Sequence, residues 1–391
     1  MTSNYKYYDQ ELDQYVDLDD KFITDADLIE RFVGDSVWAW GRNIIGQLGD
    51  GTIVHRSSPV QIGSLTNWKL IDAGGYHTAA IKTDGTLWSW GDNGNGQLGD
   101  GTTVHRSSPV QIGSLTNWKQ VYAGGYHRAA IKTDGTLWAW GNNGVGRLGD
   151  GTTVHRSSPV QIGSLTDWKQ VACGNHTVAV KTDGTLWAWG FNANGQLGDG
   201  TVVHRSSPVQ IGSLTNWKQV SAGTSYTAAI KTDGTLWAWG FNVYGQLGDG
   251  TNVSKSSPVQ IGSLTNWKQV SAGGIHIAAI KTDGTLWAWG HNSHGQLGDE
   301  TVTRRSSPVQ IGTLTNWKQV SAALVIGSAS HTSAIKTDGT LWAWGFNANG
   351  QLGDDTVTHK SSPVQVGSLT NWKQVSIGFT HTVAITYREL T

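Results

Sequence analysis

Cys173 is the only cysteine among 391 residues, so no disulfide can close within the chain and a cysteine-rich structural zinc site is excluded. No eighteen consecutive apolar residues occur, too few for a membrane-spanning helix. Met1-Thr2-Ser3-Asn4-Tyr5 lacks the basic start and apolar core of a secretory leader, which together with the single thiol favours the cytoplasm and no membrane partner. Charge is scarce as well: 15% of residues are charged and the formal net charge is -1, which leaves no electrostatic footprint for nucleic acid. That balance is uneven, because residues 1–33 carry nine Asp or Glu against three Lys or Arg and leave the remainder at about +5. A nucleophile elbow, a phosphate-binding glycine motif and a zinc-hydrolase pattern are all missing. No catalytic residue, cofactor or metal is therefore assigned, and the chain is read as not an enzyme.

What the chain has in excess is glycine, 52 residues, and tryptophan, 21. Both follow from a repeat whose mark is Trp138-Ala139-Trp140-Gly141, with six further Trp-x-Trp-Gly copies at Trp38, Trp88, Trp187, Trp237, Trp287 and Trp342. The copies start 50, 50, 49, 50, 50 and 55 residues apart. Within the unit from Trp118 to Asp167, Lys119–Ala123, His127–Lys132, Thr136–Trp140 and Ser157–Ile162 each read as a short strand. Asp134-Gly135 between two apolar runs predicts a type I′ hairpin turn. Such a unit cannot cover its own apolar face, so neighbouring copies must do so.

The two ends complete each other. Trp38 follows only Gly34-Asp35-Ser36-Val37 and lacks the preceding His-to-Lys strand, whereas His381-Thr382-Val383-Ala384-Ile385-Thr386-Tyr387 supplies that strand and lacks a following Trp-x-Trp-Gly. The predicted fold is all-β: residues 34–391 form a seven-bladed β-propeller of four-stranded antiparallel blades, closed by pairing of N- and C-terminal strands. Residues 1–33 are read as an acidic arm or cap, with a short helix over Asp25–Phe32.

The repeat Ala-Gly-Gly-x-His-(Thr)-x-Ala-(Ile), then a turn, then Leu-Trp-Ala-Trp-Gly-x-Asn-x-x-Gly-Gln-Leu-Gly resembles the signature of the regulator of chromosome condensation repeat family, and it runs through residues 34–391. The resemblance implies a seven-bladed propeller whose termini share one blade. Members similar in this way include a guanine nucleotide exchange factor for the small GTPase Ran that also binds nucleosomes, domains of ubiquitin ligases and a bacterial β-lactamase inhibitory protein. The exchange factor's wedge-like insertion and acidic surface positions have no residue-by-residue match here, and the arm that stands where its basic tail would be is acidic. A small GTPase is thus a possible partner that no particular residue supports.

Repeated polar residues have structural readings first. His77, His127, His176, His276, His331 and His381, with Tyr226 in the remaining unit, lie whole blades apart, too far to share the four ligands of a zinc ion, and are expected to tie strands to loops. Arg56, Arg106, Arg156, Arg205, Lys255, Arg305 and Lys360 are expected to pair with the recurring Gly-Asp aspartates. The informative residues are those that differ between units. They cluster after Trp-x-Trp-Gly and around Gly-Gly-x-His, two places that an antiparallel hairpin brings to one end. Exposed aromatic and other side chains there form the candidate protein-binding face: Tyr76, Tyr126, Arg128, Phe191, Phe241, Tyr244, His291, His294 and Phe346, with Leu324 and Ile326 from the insertion that lengthens the last spacing. The leading expectation is a monomeric, non-enzymatic scaffold for an unidentified protein. A nucleotide-exchange regulator and a structural repeat protein without a dedicated ligand are the alternatives, with polysaccharide binding behind them.

Overall fold

The computed structural model describes residues 6–9, 14–17, 35–325 and 329–387. Seven four-stranded antiparallel sheets follow one another around a ring. Blade 2, for example, is Trp118–Ala123, His127–Lys132, Leu137–Gly141 and Arg156–Gln161 in that spatial order. Blade 1 begins at Trp68, and blades 3 to 7 begin at Trp168, Trp217, Trp267, Trp317 and Trp372. First strands of successive blades touch one another, so they line the central channel, and fourth strands form the circumference. A separate hairpin pairs Lys6–Asp9 with Gln14–Asp17, while the helix expected at Asp25–Phe32 lies outside the described residues.

Blade 7 closes the ring as the complementary ends require. Trp372–Ile377 and His381–Thr386 come from one end of the chain, Ser36–Gly41 and Arg56–Gln61 from the other. The joining register pairs Val37 with Ile385, Ala39 with Val383 and Gly41 with His381. Trp38 Nε1 donates to Thr386 Oγ1 at 3.0 Å, and Lys373 Nζ meets the Asp35 carboxylate at 2.8 Å.

Tryptophan fills the spaces between blades. Trp140 is fully buried, and its Nε1 donates to Gln97 O of the preceding blade at 3.0 Å. Gly99 lies so close beneath the indole that a Cβ would stand 2.7 Å from Nε1. Trp118 packs edge-to-face on Trp138 and Trp140 with centroids 6.0 and 6.1 Å apart. With Val121 it covers Ile81, Leu87 and Ile112 of blade 1. A buried indole removes about 150–250 Å² from water, so each contributes up to about 4–6 kcal/mol. Lys132 Nζ caps the cluster, 3.6 Å from the Trp138 ring centroid.

The Asp-Gly turn departs from the type I′ expectation. Gly135 has φ +78°, but no aspartate of these turns has positive φ, whereas type I′ requires it at both central residues. Lys132 N–H donates to Thr136 O at 3.1 Å and Gly135 N–H to Lys132 O at 3.0 Å, giving a three-residue loop with glycine in the left-handed position. The cause is Asp134 Oδ1, which accepts from the Thr136 N–H at 2.9 Å and hydroxyl at 2.7 Å.

Polar contacts run around the ring at two levels. At the circumference each Arg or Lys pairs inside its own blade with the Gly-Asp carboxylate, as Arg106 does with Asp100 at 2.8 Å. Nearer the channel His127 Nε2 bonds Thr177 Oγ1 of the next blade at 2.8 Å, and the Thr177 hydroxyl donates to Arg147 O at 2.8 Å. One hydroxyl has one proton, so the imidazole hydrogen is on Nε2 and Nδ1 is left bare, buried and without a protein partner. His176–Thr227, His276–Thr332, His331–Thr382 and His381–Thr78 repeat the link. Where Ile277 replaces the threonine, Tyr226 replaces the histidine and its hydroxyl donates to His276 O at 2.6 Å. Where Arg128 replaces it, His77 has no partner on either nitrogen.

Burial holds these imidazoles neutral: His176, His276, His331 and His381 fall to about 3, and His77 and His127 fall well below the usual range. The unfolded chain then takes up protons first, so stability present above about pH 6.5 is lost as pH falls toward 3. Asp72, raised to about 6 by burial, works with opposite sign but as one group. Urea unfolding at pH 5.5 is expected to show a loss of about 1.4 kcal/mol per buried histidine relative to pH 7.5; equal stability at the two values would contradict the neutral, buried ring. Separately, a Cβ at Gly135 would stand 2.0 Å from Thr166 O. Gly135→Ala is therefore expected to lower stability by more than the roughly 1–2 kcal/mol of the left-handed backbone alone, measured by the same titration at pH 7.5.

Candidate protein-binding face

The loops where blades differ meet directly. Asn142 N–H donates to Tyr126 O, Phe241 N–H to Ser225 O, His291 N–H to Ile275 O and Phe346 N–H to Ser330 O. Each bond joins the segment after Trp-x-Trp-Gly to the segment before the second strand, which places both on one end of the propeller.

At the centre of this end the channel mouth is nearly filled. Phe379, from blade 7, stands edge-to-face between Tyr76 of blade 1 and Tyr126 of blade 2, with centroids 5.3 and 6.0 Å away. Gly75 and Gly125 leave it room, since a Cβ on either would come within 2.9 and 3.1 Å of its ring. From the other side the insertion brings Leu324 and Val325 over the mouth: Gly274 N–H donates to Ala323 O at 2.7 Å, and the Thr224 hydroxyl to Leu324 O at 2.5 Å. Phe379 N–H donates to Gly75 O, and Gly75 N–H to Gly124 O, so the turns hold one another. Between them remains a cavity of about 180 Å³, walled by Tyr76, Tyr126, Asn175, Leu324, Val325 and Phe379. Ile326 lies outside the described residues.

Away from the mouth, the aromatics of blades 3 to 6 are half-buried, contrary to the exposure expected of them. Phe191 leans on His204 at 5.0 Å. Phe241 meets Tyr244, and Tyr244 meets His291, at 6.1 and 5.0 Å. Phe346 stacks on His359 at 4.7 Å with His294 edge-on to both. A histidine of the following loop covers one side of Phe191 and of Phe346, and His291 of the next blade covers Tyr244, contacts that alternation along a strand does not reveal. Tyr126 is 37% exposed.

Arg128 does not reach the surface. It is fully buried between blades 1 and 2, where Nη2 donates to Thr78 O at 2.7 Å, and burial pulls its pKa down to about 9. Deeper in the channel Asp72 takes the place of the serine or alanine of most blades, accepting from Ala123 N–H at 2.6 Å and the Ser376 hydroxyl at 2.7 Å. Two residues of this end went unread in the sequence. Phe379 stands in the register of Gly75, Gly125 and Gly274, and Arg147 in that of Gln97, Gln196 and Gln246. Aligning the units position by position exposes both.

A family model for the RCC1-like domain matches residues 32–274 and 175–389. The ultraviolet-B receptor UVR8 of Arabidopsis thaliana is 42% identical over 66 residues, which span 16% of this chain and 15% of the receptor. Human WBSCR16 superposes with a TM-score of 0.81 at 22% identity, over 91% of this chain and 100% of that one. Yeast RCC1 (Prp20), solved with Kap60 bound, gives 0.80 at 20% identity over 92% and 90%. Prp20p of Saccharomyces cerevisiae, reported with its binding to Gsp1p and histones, gives 0.79 at 20% identity over 92% and 93%. These structures share the fold, and with the family match they establish that the chain belongs to the RCC1-like domain family.

Proposed function

We propose that this chain is a non-catalytic scaffold that binds another protein through the end carrying the channel mouth. One observation carries the reading: units that are near copies elsewhere diverge at this end, and their divergent side chains converge from blades 1, 2, 3, 4, 6 and 7 on a single cavity. Aromatic rings around a small recess are what a protein interface uses as anchors. The partners named for the yeast relatives, Kap60, Gsp1p and histones, support a protein as the class of ligand. Likeness to yeast RCC1 over 92% of this chain also gives weight to a second reading, regulation of nucleotide exchange on a small GTPase.

The scaffold reading is tested by capture from the source cells. Phe241→Ser/Tyr244→Ser is expected to lose a protein retained by the unaltered chain, while Leu115→Ser/Leu165→Ser, at the opposite end, keeps it. Unchanged melting temperatures establish that the ring is intact. Equal capture by all three forms would contradict the assignment. The exchange reading instead predicts faster release of labelled nucleotide from one member of a small-GTPase panel.

A further inference from the structure

The chemistry of the partner follows from where positive charge is left uncompensated, and this step rests on the scaffold reading. Around the circumference every Arg or Lys before Ser-Ser-Pro has an aspartate. At the mouth the pattern ends. The Arg42 guanidinium lies 5.5 Å from the Tyr76 ring centroid and meets no carboxylate among the described residues. Arg147 directs Nε to Asn175 O at 3.0 Å and Nη1 to Asn142 Oδ1 at 2.5 Å, both neutral acceptors. Beneath them Arg128 has two guanidinium nitrogens without a hydrogen-bond partner, but its charge is met by the buried Asp72 carboxylate. None of the three is demanded by the blade: the equivalent positions carry Asn142, Gln97 and Thr177. Of the carboxylates of blade 1, Asp72 is the counter-charge of Arg128, and Asp92 is held by Gln97 Nε2 at 2.7 Å and His105 at 3.2 Å.

The other half of the same end differs. Blades 4 to 6 carry Phe241, His291 and Phe346 in the register of Arg42, and glutamine in the register of Arg147. Arg42 on blade 7 and Arg147 on blade 2 thus stand on either side of blade 1, aromatic and imidazole rings occupy blades 4 to 6, and the cavity of about 180 Å³ lies at the channel mouth. That volume suits one apolar side chain. A guanidinium fork on a half-buried rim suits a carboxylate, which it can grip through two parallel hydrogen bonds.

We infer that this end of the propeller receives a peptide segment of a partner protein in which an apolar side chain lies between carboxylate side chains. Arg42 on blade 7 and Arg147 on blade 2 each take a carboxylate, and the apolar side chain enters the cavity beside Tyr76, Tyr126 and Phe379. Arg128, buried a layer below and facing Asp72, makes no contact with the ligand.

The test uses the full chain and a fluorescent peptide of alternating glutamate and leucine, with a lysine and leucine peptide as comparison, read by anisotropy. Saturable binding of the acidic peptide is expected, weakening with added salt, with the basic peptide remaining unbound. Arg42→Asn/Arg147→Gln, which restores the residues of other blades and so preserves the fold, is expected to weaken binding about tenfold or more. Absence of binding by the acidic peptide, including the case where residues 1–33 of the same chain hold the site, would overturn the inference. So would equal binding of both peptides, or unchanged affinity in the double variant. A cellular partner lost in Phe241→Ser/Tyr244→Ser but kept in Arg42→Asn/Arg147→Gln would leave the scaffold reading standing and remove this one.

Discussion

A blade of this protein cannot cover its own tryptophans, and everything else depends on that constraint. Trp140 is dry because Gly99 of the preceding blade lies against it and Gln97 O takes its indole hydrogen. The requirement passes from blade to blade and ends only when the last sheet covers the first. In blade 7, Trp40 and Trp372 close onto Ile335 and Leu352 of blade 6, while Val37, Val383 and Ile385 receive Trp68 and Trp90 of blade 1. The strand that joins the two chain ends is thus the one element on which all seven interfaces rely.

Near-identity of the units makes most of the surface a repetition, and departures from repetition acquire meaning by contrast. Some are paired and self-compensating: Tyr226 with Ile277 exchanges an imidazole–hydroxyl bond for a phenol–carbonyl bond across the same interface. Others are left open. Arg128 in place of threonine deprives His77 of its partner and places a guanidinium where its neighbours have a hydroxyl. Such substitutions gather on blades 7, 1 and 2, next to the insertion of blade 6 that narrows the channel mouth. A symmetric framework carries an asymmetric end, and recognition has its chemical means there.

Much of this was legible in the chain. The 50-residue period and the complementary ends specify the ring, because each end shows the strand that the other lacks. Convergence of the variable loops followed from antiparallel pairing. The turn type did not follow, since Thr136 bonds Asp134 and decides the backbone in a way that the Asp-Gly pair does not announce. Exposure of Phe191 and Phe346 was overestimated because their neighbours His204 and His359 come from a loop about thirteen residues on, and that of Phe241 because Tyr244 of its own loop packs on it. Phe379 escaped notice as an aromatic in a glycine register, and Arg128 was placed on the surface although its side chain runs inward to Thr78 O.

Closure of the ring by the shared blade can be measured directly by cross-linking. Ser36 and Thr386 are register partners across the joining strands, at a separation that a disulfide can span. In Ser36→Cys/Thr386→Cys, with Cys173 buried, the account predicts an intramolecular Ser36-site to Thr386-site disulfide that forms in air and appears in the peptide map of the unreduced protein. Two free thiols at these positions in the folded protein, or cross-links only between molecules, would contradict a closed propeller.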